Sequence, residues 1–157
     1  MNDFKQLIED AKEQYNKVII INDEDSTKYK SYCKEHKIHT YNLSVKLAEL
    51  LADIPEKDKD QEAVDKLKSW FREINEEVIA FDNIDYLFSQ EVGKINPIAT
   101  FNYSTRIQKV IILFIKARKR NNLLIYSEEG SPDYMEIDIS NNEGFVVGWW
   151  IIWKLMN

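Results

Sequence analysis

Glycine is scarce in this chain: four among 157 residues, and none before Gly93. That excludes a glycine-rich phosphate cradle in the first half, because such loops need positive φ and close approach of backbone amides. The single cysteine, Cys33, rules out an internal disulfide framework. Its setting, Lys30-Ser31-Tyr32-Cys33-Lys34, predicts a buried, inert thiol on a helix. The two histidines, His36 and His39, have no nucleophile motif beside them, so no serine–histidine triad is expected. Together with Cys33 they fall short of the four ligands that zinc usually takes, so no metal is expected. Positive charge is not in excess either. The formal net charge is -6, which disfavours a general nucleic-acid coat while leaving room for a local basic patch. The opening, Met1-Asn2-Asp3-Phe4, leads into a charged amphipathic stretch rather than a signal peptide, so the cytoplasm is the expected location. The apolar run from Phe145 to Met156 is shorter than the roughly 20 residues that cross a bilayer, and no membrane span is expected.

What is present suits one folded domain. Hydrophobic residues make up 44% of the chain and aromatics 12%, ample for a core, and a chain of this length buries roughly two-thirds of its unfolded surface. The expectation is a single domain over 1–157 with a tryptophan-rich apolar segment at 145–157. Helix and strand signals alternate, which predicts an α/β sheet with parallel strands. Phe4, Leu7, Ile8 and Ala11 recur at helical spacing, and a strand starts near Lys17. A helix capped by Asp25 or Ser26 runs to about His36, and a short strand covers Ile38 to Asn42. A further helix stops before Pro55. The charged run 56–60 reads as a solvated loop, and Val64, Leu67, Trp70, Phe71 and Ile74 mark the packing face of a helix over 61–77. Strands are expected at 78–82, 109–115 and 122–127, with a helix over 96–108 and Pro97 in its first turn.

The first strand runs straight into Asn22-Asp23-Glu24-Asp25-Ser26-Thr27-Lys28-Tyr29. The segment keeps the spacing and the lysine of the phosphate-binding template G-x-x-x-x-G-K-[ST]. Asn22 and Thr27 stand at the glycine positions, Lys28 at the lysine and Tyr29 at the magnesium-ligating hydroxyl. A β-branched Thr27 adopts positive φ only with strain, and three carboxylates at the mouth repel a polyphosphate. The frame of a nucleotide site is therefore present without its chemistry. Val78-Ile79-Ala80-Phe81-Asp82-Asn83 has the form of a Walker B strand, whose aspartate steadies magnesium. Asn83 follows where a catalytic glutamate often stands, and an amide cannot act as a base. Aspartate also commonly ends strands for structural reasons. Lys28 and Asp82 are expected either to meet across the sheet edge as an ion pair or to leave Lys28 at the surface.

Several runs together resemble the BrxF family of small P-loop-containing components of BREX bacteriophage-exclusion systems. They are Asp82-Asn83-Ile84-Asp85-Tyr86-Leu87-Phe88, Asn96-Pro97-Ile98, Arg106 ahead of Val110 to Phe114, Leu124 to Ser127, and Gly130-Ser131-Pro132-Asp133-Tyr134. The resemblance covers about residues 15 to 138. It implies a P-loop NTPase-like, AAA-like three-layer sandwich around a mostly parallel sheet of about five strands. It also implies a role in antiphage defence beside larger proteins that carry methylation and other activities. Lys28 and Asp82 match the family's P-loop lysine and Walker B aspartate. Arg106 matches an arginine before the fourth strand that acts in trans on a neighbouring subunit's nucleotide or only pairs with an acidic surface.

Two further features stand out. Lys116, Arg118, Lys119 and Arg120 crowd the end of the fourth predicted strand, where α/β sheets carry binding loops. They read either as a solvated basic turn or as a phosphate-contacting patch. In the tail, Trp149, Trp150 and Trp153 read as packing against the domain, as a partner interface, or as a membrane-surface contact. The function expected is a non-catalytic or regulatory subunit of a BREX complex that acts through protein contacts, as a homo-oligomer or with other proteins. An ATP-binding or ATPase subunit using ATP and magnesium is one alternative, and a DNA-contacting accessory protein is another. No cofactor is required by the first reading.

Overall fold

The computed structural model describes residues 2–15, 17–104, 109–142 and 144–149. Helix α1 (Asn2–Lys12) precedes strand β1 (Val18–Asn22), and α2 (Thr27–Glu35) leads to the short β2 (Thr40–Asn42). Helices α3 (Leu43–Leu50) and α4 (Lys59–Glu73) follow, then β3 (Val78–Asp82), α5 (Pro97–Ser104) and β4 (Val110–Ile115). The remaining strands are β5 (Arg118–Arg120), β6 (Leu123–Tyr126), β7 (Met135–Asp138) and β8 (Val146–Val147).

Five strands form one sheet in the order β2-β3-β4-β1-β8, and every neighbouring pair in it is parallel. Such strands are buried on both faces and read as continuous apolar runs. Val18 to Ile21 and Val110 to Leu113 are indeed fully buried. Alternate residues serve opposite layers. Ile19, Ile21, Ile112 and Phe114 pack against Phe4, Ile8 and Ala11 of α1 and Tyr32 and Cys33 of α2. Val18, Ile20, Ile111 and Leu113 pack against Leu43 and Leu47 of α3, Leu67 and Phe71 of α4, and Phe101 of α5. The result is a three-layer α/β arrangement with a mostly parallel five-stranded sheet, as the alternation of the sequence predicts.

Helix ends follow the local chemistry. The Asn42 side chain accepts from Val45 N at 3.1 Å and caps α3. Asn96 accepts from Ile98 N and Ala99 N at 3.0 and 3.1 Å, so the first turn of α5, which opens with Pro97, is satisfied. Helix α4 begins at Lys59, inside the charged run expected to be a loop. Asp60 and Glu62 lie in its first turn, where carboxylates favour the positive end of the helix dipole.

One strand departs from its expected place. The run at 122–127 forms a strand, β6, but not in the parallel sheet. It is the middle of a separate antiparallel sheet ordered β5-β6-β7. The fifth place in the main sheet goes to β8, where Val146 and Val147 pair with Ile20 and Ile21. The cause is the short connection: only Lys116 and Ala117 separate β4 from β5 and only Asn121 and Asn122 separate β5 from β6. A parallel return requires a crossover of a dozen or more residues. Asn121 has φ 52, the left-handed conformation that a two-residue hairpin turn needs.

Candidate functional site

The strand order fixes where a site can form. From β1 the chain crosses to β2 at one edge, returns through β3 and β4, and reaches β8 on the other side of β1. The order therefore reverses around β1, and open α/β sheets hold ligands outside the carboxyl ends of the strands at such a switch point. Residues 22–30 and 82–83 lie there.

The crossover after β1 is a tight step rather than a curled cradle. Asn22 keeps extended backbone angles (φ -64°, ψ 118°), a 3-10 turn covers Asp23–Asp25, and Ser26 has φ -91°. No described residue from 22 to 30 has positive φ. Asn22 Oδ1 accepts from Glu24 N at 3.2 Å, and Ser26 Oγ donates to Asp23 O at 2.7 Å. The amides of Tyr29 and Lys30 both donate to Ser26 O at 2.9 Å. These donors are consumed inside the loop, so they do not point at a ligand.

The lysine that enters the site is Lys30, not Lys28. Lys30 Nζ lies 2.7 Å from Asp23 Oδ1 and 3.3 Å from Asp82 Oδ2. It also sits 5.2 Å above the Phe114 ring. Burial pushes the Lys30 pKa down, but the hydrogen bond it donates to Asp23 and the charges of Asp82 and Asp23 outweigh it, and the net shift is upward. Lys28, the template lysine, is exposed, with its ammonium 5.1 Å from the Tyr29 ring. Of the two arrangements expected for Lys28, the surface one is seen, and the ion pair to Asp82 is made by Lys30 instead. Tyr29, at the hydroxyl position, turns its ring to Phe4 in an edge contact at 4.9 Å. Thr27 is exposed.

On the other side of the crevice, Asp82 Oδ1 accepts from Asn83 N at 2.7 Å. Asn83 takes the left-handed conformation at φ 49, which asparagine tolerates better than most residues. Its amide donates to Asn42 Oδ1 at 2.9 Å, and its carbonyl accepts from Ser44 N at 2.9 Å. Asn83 thereby ties the end of β3 to the start of α3.

A cavity of about 960 Å³ opens beside this crevice. Asn22 at the end of β1 and Glu24 beyond it, Lys116 and Ala117 after β4, Arg118 and Lys119 of β5, and Ile125 and Tyr126 of β6 line it, with Trp149. Its walls carry both signs of charge, since Glu24, Glu128 and Asp133 oppose the three cations. Trp149 is buried, and its Nε1 donates to Ala117 O at 2.7 Å. The first tail tryptophan therefore packs against the domain, and Trp150 and Trp153 lie outside the described residues, as does Arg106. Lys116, Arg118, Lys119 and Arg120 are all exposed.

Sequence reasoning missed Lys30. Asp23 lies in the 3-10 turn before α2 and Lys30 in the first turn of that helix, so no single helical period in the sequence marks the pair. His36 and His39 stack on Tyr32 and Tyr41 respectively, at 3.8 and 3.9 Å. Among the described residues no group of three His, Cys, Asp or Glu side chains is placed to hold a metal ion, and no helix is long and apolar enough to cross a membrane. No family model, curated protein or solved structure matches the chain.

Proposed function

We propose that this chain is a P-loop-like subunit whose phosphate position is occupied by its own Lys30 ammonium. In this reading it serves a bacterial phage-defence complex of the BREX type through protein contacts and does not turn over ATP. The observation that carries the reading is the Lys30 bridge between Asp23 and Asp82 at the switch point of the sheet. An ammonium held by two carboxylates occupies the locus where a nucleotide site would place phosphate and magnesium. The crossover beside it offers neither positive φ nor free glycine amides. The parallel order with β1 between β4 and β8 is compatible with the AAA-like fold that the resemblance implies.

Isothermal titration with ATP and magnesium tests the nucleotide half of the proposal. The expected outcome is no binding tighter than about 100 μM, a free energy near 5.5 kcal/mol. Tighter binding that Lys28→Ala abolishes would overturn it. Phage plating on a BREX-bearing host tests the other half. Removing the chain should abolish exclusion, and complementation with Lys28→Ala should restore it in full. An exclusion system indifferent to the chain would reject the defence role.

A further inference from the structure

Among the described residues, the antiparallel sheet presents two unpaired edges of opposite charge. Its register places Arg118, Ile125 and Glu136 in one row and Arg120, Leu123 and Asp138 in another. Residues directly opposite one another project to the same face. One face therefore carries two arginines along the β5 edge and two carboxylates along the β7 edge. Lys119 belongs to the other face, in the row of the fully buried Leu124 and Ile137.

Arg118, Arg120, Glu136 and Asp138 are exposed. None forms an ion pair among the described residues. Their hydrogen bonds go to neutral groups. Arg118 donates to Ser127 O, Glu136 accepts from Tyr134 Oη, and Asp138 accepts from Ser140 N. The two arginines and the two carboxylates are each spaced two residues apart, about 6.8 Å along a strand. The charges on the two edges thus match in spacing as well as in sign.

We propose that the chain self-associates by joining the β5 edge of one molecule to the β7 edge of the next. An edge strand offers a row of unpaired N–H and C=O groups to another chain. Like charges directly opposite oppose pairing, so β5 rejects β5 and β7 rejects β7, while β5 and β7 accept one another. Two different surfaces meet, so the contact is head-to-tail and builds a ring or an open chain. The short strands make it weak, dependent on concentration and on salt.

Sedimentation velocity of the full chain, over a concentration series at low and high salt, reads the outcome. Wild-type protein should sediment faster as concentration rises at low salt and as a monomer at high salt. The variants Arg118→Glu/Arg120→Glu and Glu136→Lys/Asp138→Lys should each associate about tenfold more weakly, because attraction across two pairs becomes repulsion. An equimolar mixture of the two variants should associate again, since each then supplies the edge that the other accepts. A chain that is monomeric throughout overturns the proposal, and so do variants that associate like wild type or a mixture that stays monomeric. Duplex DNA bound through Arg118 and Arg120 by a chain that stays monomeric overturns it as well.

Discussion

Gly148 lies against Asn22 so closely that a Cβ at position 148 would stand 2.7 Å from the Asn22 Cβ. Its φ of +115° is also one that side chains rarely adopt. The end of β8 is thereby pressed onto the end of β1, and Asn22 is left 2% exposed. Gly148→Ala should destabilise the chain by roughly 1–3 kcal/mol, through strain and the displaced Asn22. Chemical denaturation followed by tryptophan fluorescence measures it, since Trp149 is the next residue. An unchanged midpoint would show that the contact relaxes freely.

Lys30 and Asp82 should be energetically coupled, and Lys28 should not be coupled to either. Both partners of the pair have side chains 34% exposed, so solvent screens the interaction. A double-mutant cycle with Lys30→Met and Asp82→Asn should give a coupling of about 1 kcal/mol. Lys28→Ala should leave stability within about 0.5 kcal/mol of wild type. Coupling of Lys28 to Asp82 instead would contradict the geometry.

Alkaline conditions should reveal the same pair. Lys30 binds its proton more tightly in the folded chain than the ordinary lysine value of 10.5. Its contribution is therefore complete below pH 10.5 and disappears as pH rises through the higher folded value. Lys109 works in the opposite sense. Its Nζ donates to Phe71 O at 2.7 Å, and burial lowers its pKa. Wild type and Lys30→Met should therefore converge in stability at high pH. Denaturant midpoints at neutral and strongly alkaline pH test this, and a constant gap between the two proteins would count against it.

Cys33 is completely buried, and burial pushes its thiol up to about 11. Thiolate is the reactive form, so the native chain should resist alkylation at pH 8 and react only as denaturant exposes the core. Between pH 9.0 and about 11 the unfolded thiol ionises first, so this group's contribution to stability falls as pH rises. Rapid stoichiometric labelling of the native protein would disagree with the packing of α2 on the sheet.

Long apolar runs carried most of the legible fold. Val18 to Ile21, Val78 to Phe81 and Val110 to Ile115 were readable as buried parallel strands because both faces are covered. Sheet membership was not readable for Leu123 to Tyr126, since the apolar run looks alike in either sheet and only the two-residue links betray the meander. Strand β5 was illegible for a different reason: Arg118-Lys119-Arg120 is exposed throughout, and no alternation of burial marks it. The two-residue β8 lies in a run of apolar residues that fits strand or helix equally. At the candidate site, Asp82 was found from strand form, whereas Lys30 was hidden by a template that directs attention to Lys28.

The position of β1 dictates how this molecule must assemble. Its two lateral neighbours, β4 and β8, are both drawn from more than half the chain's length away. This strand thus cannot be zipped up by local events, because the closure entropy of large loops must be met before its ladders reward it. Folding should be correspondingly slow, and a nascent chain carries an unpaired, sticky Val-Ile-Ile-Ile segment until late residues arrive to flank it.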